Sequence, residues 1–221
     1  MNTNTAHGRR VLITAGPTHE PIDAVRFLGN RSSGRMGIAL AQAASAAGHR
    51  VVLLLGPTGV PVDDSTARVV RFRTAEDLRE LLALEAPLAD VVVMAAAVAD
   101  YRPKPLAALS GGKFRRTDRP VVLELEPTPD LLAEVAARRH PGQRLVGFAL
   151  EPRAEMIASA RAKLERKGVD LVVANPLDTM DATDIEGVVV GPGGVVIEPP
   201  HVRMSKPAFA AWVMGVITSG S

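Results

Sequence analysis

The sequence predicts an α/β fold in which a mostly parallel sheet is doubly wound by helices on both faces. Three observations predict it: apolar runs alternate with amphipathic segments, two of the runs are unbroken by polar residues, and turn residues follow the runs directly. The first run, Val11 to Ala15, ends at Gly16-Pro17-Thr18 and reads as a strand. After a long loop, Met36, Leu40, Ala43, Ala44 and Ala47 recur at helical spacing, which predicts a helix over 33–47. Further strands are expected near 51–55, 91–95, 144–149 and 170–174, with helices near 74–85, 130–139 and 152–167. Val51-Val52-Leu53-Leu54-Leu55 and Val91-Val92-Val93-Met94 are the unbroken runs, as parallel strands covered on both faces require, and are expected to be central.

Two regions interrupt the alternation. Tyr101 to Pro120 combines Pro103, Pro105, Gly111 and Gly112 with a cationic cluster and reads as an extended flap. Val188-Val189-Val190 and Val195-Val196-Ile197 flank Gly191-Pro192-Gly193-Gly194, a hairpin signal. Ser205 to Thr218, with Phe209, Trp212, Val213 and Val216, predicts a C-terminal helix. Residues 1–9 are polar and expected to be disordered, and 10–221 are expected to form a single domain.

Composition narrows the function classes. With 47% hydrophobic and 23% charged residues, the chain has the balance of a globular protein. Only 3% of residues are aromatic, too few for a base-stacking platform, and the net charge is +2, so nucleic acid is not an expected partner. No apolar run is long enough for a membrane span, and Met1 to Arg10 lacks the apolar core of a signal peptide, so a cytoplasmic location is expected. There is no cysteine, which excludes disulfides and thiolate catalysis. His7, His19, His49, His140 and His201 are scattered without metal-ligand spacing.

In doubly wound sheets ligands sit beyond the carboxyl ends of the strands, so the residues following each run carry the chemistry. Phe27 to Gly37 places Asn30, Ser32, Ser33, Arg31 and Arg35 with Gly34 and Gly37 where a helix starts. Ser32 or Ser33 can cap that helix while its free N–H groups face an anion; an ordinary N-cap with packing glycines is the other reading. Ala95-Ala96-Ala97-Val98-Ala99-Asp100 lets a ligand approach the backbone, with Asp100 placed to hold a divalent metal or a hydroxyl, or simply to cap a turn. Lys113-Phe114-Arg115-Arg116 follows the flap glycines and reads either as a mobile cationic strand or as a solvated edge. Pro129-Asp130 before Leu131-Leu132 is a normal helix start. Phe148 stands at a strand end where it can stack on a base or pack in the core, and Lys163 and Lys167 share a helix face. Asn175 ends the last predicted parallel strand with an amide.

Taken in order, T-A-G-P-T, N-R-S-S-G-R-M-G, A-A-V-A-D-Y, G-K-F-R-R, T-P-D-L-L, G-F-A-L-E, the lysine pair and V-A-N-P resemble phosphopantothenoylcysteine synthetases over about residues 10 to 176. These are ligases of coenzyme A biosynthesis. The resemblance implies a Rossmann-like fold, a homodimer with the flap as a dimerisation excursion, and three substrates: 4′-phosphopantothenate, CTP and L-cysteine. In the implied reaction the substrate carboxylate attacks the α-phosphate of CTP, pyrophosphate leaves, and the cysteine amine displaces CMP from the acyl-cytidylate. Asn30 and Lys113 match catalytic positions. Ala96, Ala97, Asp100, Lys113, Pro129, Asp130, Leu131, Leu132, Phe148, Lys163 and Lys167 match nucleotide-binding ones. Gly16, Ser32, Ser33 and Gly34 form the substrate or phosphate cradle, and Mg²⁺ or Mn²⁺ is expected at Asp100. Many bacterial synthetases are fused behind a flavin-dependent decarboxylase; this chain begins within ten residues of the synthetase pattern, so no flavin is expected in it. Phe114, Arg115 and Arg116 replace an expected aliphatic residue and lysines, and Pro152 stands where a threonine is more usual.

The chemistry supports that scheme independently. A carboxylate acylates only after phosphoryl or nucleotidyl activation, which needs a site that spreads phosphate charge. The chain offers cations, a helix start and one carboxylate, without a cysteine or triad pattern for a covalent acyl-enzyme. An NAD(P)-dependent oxidoreductase is the first alternative, but the first turn lacks G-x-G-x-x-G and no acid directly follows the strand at 51–55. A nonenzymatic nucleotide-binding regulator is the second, distinguished by lack of turnover.

Overall fold

A computed structural model describes residues 8–63, 65–104, 112–113, 116, 118, 120–180 and 182–219. Strands β1 (Arg10–Ala15), β4 (Arg50–Leu55), β5 (Arg68–Arg71), β6 (Val91–Met94), β9 (Arg144–Glu151), β10 (Leu171–Pro176), β12 (Val188–Val190) and β13 (Val196–Ile197) make one eight-stranded sheet. Its order is β13-β12-β10-β9-β6-β1-β4-β5, parallel from β10 to β5, with β12 and β13 antiparallel at one edge. The mostly parallel, doubly wound fold is therefore present, with the 188–197 hairpin built into the sheet as β12 and β13.

Helices cover both faces because each strand side chain alternates between them. Val11, Ile13 and Ala15 of β1 join the core beneath α1 (Arg35–Ala46) and α5 (Lys206–Thr218). Leu12 joins the opposite core, beneath α2 (Ala75–Glu85), α3 (Leu131–Ala137) and α4 (Met156–Lys167). Helix α5 is fixed by Phe209, Val213 and Ile217, all fully buried, and starts at a Ser205 cap whose hydroxyl accepts from Ala208 N at 3.4 Å. Helix α1 lies against β1 so closely that a Cβ on Gly37 would stand 2.4 Å from that of Ala15.

The chain runs β1, β4, β5 outward in one direction and then returns to β6 on the other side of β1. That reversal opens a crevice beyond the carboxyl ends of β1 and β6, where open α/β sheets bind ligands. The smaller pairs frame it. Strands β2 (His19–Pro21) and β3 (Phe27–Gly29) form a hairpin inside what the sequence predicts as plain loop, while β7 (Tyr101–Pro103) and β8 (Leu125–Pro127) pair as the base of an arm. Strands β11 (Asp184–Ile185) and β14 (Met204–Ser205) pair near α5.

Several boundaries differ from expectation for identifiable reasons. The run at 51–55 is interior but second from the edge, because β5 lies outside it; Val69-Val70 between two arginines is too short a signal to announce a strand. The run near 144 continues to Glu151, and the following helix starts at Met156 instead of 152, because Pro152 opens a turn closed by Glu155 N donating to its carbonyl at 2.9 Å. The arm reaches beyond 120, to Pro127, since β8 supplies its return strand. Residues 1–7, within the expected disordered end, and Phe114 and Arg115 of the cationic cluster lie outside the described residues.

Candidate active site

The crevice is floored by the segment from Ala96 to Asp100, which is laid along the end of β1 by backbone and hydroxyl bonds. Thr14 Oγ1 accepts from Ala96 N at 3.0 Å, Ala97 N donates to Gly16 O at 2.9 Å, Thr18 N donates to Ala97 O at 3.2 Å, and Thr18 Oγ1 accepts from Ala99 N at 3.0 Å. From the other side Thr128 donates its hydroxyl to Ala99 O at 2.5 Å and its N–H to Asp100 O at 2.9 Å. Thr14 and Thr18 are both fully buried, so these bonds form where water cannot substitute for them. The T-A-G-P-T motif is thus a set of acceptors and a tight turn, with Gly16 at φ +81°.

On one side of this floor is a cleft of about 390 Å³. Ala96, Asp100, Pro129, Asp130, Leu131, Leu132, Phe148, Lys163 and Lys167 line it together, with Thr128 and Arg166. Asp130 caps α3 by accepting from Ala133 N at 3.1 Å and pairs with Lys167. Lys163 donates to the carbonyl of Phe148. Its stem passes Gly147, where a Cβ would come 3.1 Å from Leu132 Cδ2 and 3.8 Å from Lys163 Cε. Burial pushes the Lys163 pKa below the ordinary lysine value; Arg166 pushes the same way, and the Glu151 and Asp100 carboxylates oppose it.

On the other side lies a wider cleft of about 690 Å³, lined by Asn30, Arg31, Ser32, Ser33 and Arg35, by His19, and by the loop from Pro57 to Pro61. Here the backbones of three strand and helix ends converge on glycine. A Cβ on Gly34 would stand 3.3 Å from Gly16 N, and one on Gly16 would stand 3.3 Å from Gly56. The expected serine cap of α1 does not form: Gly34, at φ +73°, is the N-cap and no side chain caps the helix. The chain turns too sharply at Gly34 for a serine to take that place. Ser32 Oγ instead accepts from Gly34 N at 3.4 Å, and the Ser33 carbonyl accepts from Thr58 Oγ1 at 2.7 Å. No side chain caps the first-turn N–H groups of α1, and Arg31 and Arg35 at that helix start line the cleft.

His19 stacks on Phe27 with ring centroids 3.6 Å apart; burial, aided by Arg73, lowers its pKa, and Glu20 opposes the shift. Glu20, itself buried, accepts from Ala75 N at 2.9 Å and so fixes the β2 hairpin to the start of α2. Asn30 lines the wider cleft and bonds to Val98, which lines the other. Its Nδ2 donates to Val98 O at 2.9 Å, joining the loop that follows β1 to the loop that follows β6.

Residues 6–219 match the family model described as the DNA/pantothenate metabolism flavoprotein C-terminal domain. The chain belongs to this family. The resemblance drawn from the eight ordered motifs is thereby borne out. The chain is 43% identical over 188 residues to the coenzyme A biosynthesis bifunctional protein CoaBC of Mycobacterium tuberculosis (strain ATCC 25618 / H37Rv), covering 81% of this chain and 44% of that protein. It is 45% identical over 171 residues to a cysteine/cysteine sulfinic acid decarboxylase of an unknown prokaryotic organism, covering 77% and 46%. The chain spans about half the length of the curated relatives it matches. Its fold matches the crystal structure of the C-terminal domain of CoaBC with a TM-score of 0.78 at 34% identity, covering 96% of this chain and 94% of that one.

Within this family member, the expected nucleotide positions come together with two exceptions. Ala97 faces the end of β1 through its backbone and does not line the cleft, and Lys113 is exposed and lines neither cleft. Gly16 and Gly34 lie beneath the cradle, with Ser32 and Ser33 on its surface. Among the described residues no three His, Asp or Glu side chains are grouped as a metal site, and no helix is long and apolar enough to cross a membrane. Sequence reasoning missed the roles of Thr14, Thr18, Thr58 and Arg166. The first two carried a readable signal, a threonine inside or directly after an apolar run, where its hydroxyl must find a buried partner.

Proposed function

We propose that this chain is a phosphopantothenate–cysteine ligase domain that joins 4′-phosphopantothenate to L-cysteine through an acyl-cytidylate, consuming CTP and releasing pyrophosphate and CMP. The observation that carries the reading is the 390 Å³ cleft. It gathers Phe148 for a base, Lys163 and Lys167 for phosphates, and Asp100 for a metal at one strand end. Membership of the flavoprotein C-terminal domain family and the likeness to CoaBC point the same way.

The substrate carboxylate oxygen attacks the α-phosphorus of CTP as the bond to the pyrophosphate oxygen breaks; the cysteine amine then attacks the acyl carbon, loses a proton, and CMP leaves. Two polyphosphate-facing cations and the uncapped N–H groups of α1 spread the charge that develops. Asn30 offers a neutral amide in the wider cleft, bonded to a residue that lines the other, where it can hold an acyl or phosphoryl oxygen without attacking the mixed anhydride. Asp130 is committed to Lys167 and to α3, which leaves Asp100 as the carboxylate for Mg²⁺ or Mn²⁺. A single carboxylate suits Mg²⁺, a hard ion that takes oxygen ligands and is often held by one or two protein carboxylates together with substrate phosphates. When bound, the ion supplies charge neutralisation on the leaving pyrophosphate. Lys113 is assigned to formation of the intermediate.

The protein is proposed to act as a homodimer in the cytoplasm, without nucleic acid or membrane. Tyr101, Val121, Val122, Leu123 and Leu125 support the dimer: they are exposed apolar side chains on and beside the β7–β8 arm. Mass-spectrometric analysis of products with CTP and ATP in parallel tests the whole reading. Pyrophosphate is expected when nucleotide, 4′-phosphopantothenate and Mg²⁺ are present together, and 4′-phosphopantothenoyl-cysteine only when cysteine is added to them, with CTP preferred. A chain inert with all four, or one that releases CO₂ from cysteine without nucleotide, would sink it.

A further inference from the structure

We propose that Thr18 is a positioning residue for the metal–triphosphate end of the 390 Å³ cleft, acting through the Ala99 N–H on Asp100. This rests on the reading of that cleft as a nucleotide site. Thr18 is fully buried, three residues beyond the end of β1, and does not line the cleft. Its hydroxyl takes the N–H of Ala99 at 3.0 Å, one residue before the carboxylate at the cleft wall.

The neighbouring bonds show what that contact decides. Ala99 is held from both sides, its N–H by Thr18 and its carbonyl by Thr128 Oγ1 at 2.5 Å, so its two peptide planes are fixed. Those planes set the directions in which the Val98 carbonyl meets Asn30 and the Asp100 side chain leaves the backbone. Without the Thr18 oxygen, Ala99 N–H has no acceptor in a buried place and must turn to find one. Among the described residues Asp100 is otherwise hydrogen-bonded through its carbonyl, to Thr128 N, and its side chain would turn with the Ala99 peptide. Divalent-ion coordination needs ligand placement within a few tenths of an ångström, and Mg²⁺ is the strictest of the common ions in this respect. Contacts to phosphate from long lysine side chains tolerate such a shift. Loss of the hydroxyl should therefore affect metal-dependent binding selectively.

Calorimetric titration of the full chain with CTP, once with Mg²⁺ and once with EDTA, measures this. Thr18→Val is expected to weaken Mg·CTP binding about tenfold while leaving metal-free CTP within about twofold, and Thr18→Ser is expected to restore the metal advantage. An unchanged metal advantage in Thr18→Val overturns the proposal, as does equal weakening of both forms, which is what a purely structural role gives. Should Thr18→Val fail to fold, Thr18→Ala, which likewise removes the hydroxyl acceptor of Ala99 N–H, carries the same comparison. Amide hydrogen exchange of the wild type adds a readout free of any variant: Ala99 should exchange slowly, and exchange as fast as an exposed loop would refute the tether. Lack of pyrophosphate release by the wild type would fell the ligase reading while leaving the metal comparison decisive for Thr18.

Discussion

Asn30 donates to a carbonyl, and an amide is the side chain of its size that can do so while keeping an oxygen free for a reacting group. Asn30→Asp exchanges the donor for a carboxylate set against the Val98 carbonyl and beside the incoming phosphates. The fold should survive, because Asn30 is exposed, while conversion of the acyl-nucleotide to amide falls by about 10²-fold or more. Single-turnover product analysis checks it, and wild-type kinetics would remove Asn30 from the mechanism. Lys113→Gln should reduce formation of the intermediate more than nucleotide affinity; equal loss of both would make Lys113 a simple phosphate anchor. Lys163 brings a pH dependence. Burial lowers its pKa, so its charge, and with it CTP affinity, is lost as pH rises through a range below the ordinary lysine value. In the free protein the sign is opposite: the unfolded chain holds this proton more tightly, so stability rises with pH across the same window. Titrations of CTP at a series of alkaline pH values should show the decline, and Lys163→Arg should remove it.

At the scale of elements, the cradle depends on how near α1 can come to β1. Gly37→Ala would place a methyl 2.4 Å from Ala15 Cβ, which forces the helix outward. A loss of about 1–3 kcal/mol is expected in urea denaturation. Because the displaced helix start is the cradle itself, affinity for 4′-phosphopantothenate or CTP should fall in the same variant even where it remains folded. Much of this architecture was legible in the chain. Unbroken valine and leucine runs announced the inner strands, and helical spacing of Met36, Leu40 and Ala44 announced α1. The motif order located the 390 Å³ cleft residue by residue, Ala97 and Lys113 apart. The β2–β3 hairpin was not legible, since Glu20 is buried there by a bond to Ala75 N fifty-five residues away, and a three-residue strand has no periodicity to read. Nor was the Gly34 cap: serine next to glycine favours a serine cap locally, and only the convergence of Gly16, Gly34 and Gly56 shows why the glycine takes that place.

For the molecule as a whole, an apolar surface among the described residues lies at the β7–β8 arm. Val122 is 84% exposed, and Val121, Leu123, Leu125 and Tyr101 extend the patch. Sedimentation equilibrium should give a dimer, and Val122→Glu with Leu125→Glu should give a folded monomer with impaired turnover; a wild type that stays monomeric at high concentration would refute the dimer. The placement of the site at the reversal between β1 and β6 bears also on how the family can diversify. Asn30 reaches Val98 through a carbonyl, and Ala97 is held by its own N–H and C=O. These are groups that every residue but proline possesses in full. Evolution is therefore free to vary the side chains of the floor, and with them the shape offered to a base or an acyl chain, while the threonines and glycines beneath keep the catalytic frame. A saturation library should be permissive at 97 and 98 and restrictive at 14, 16, 18 and 34, so that new substrate preferences are reachable by single steps that leave the reacting centre in place.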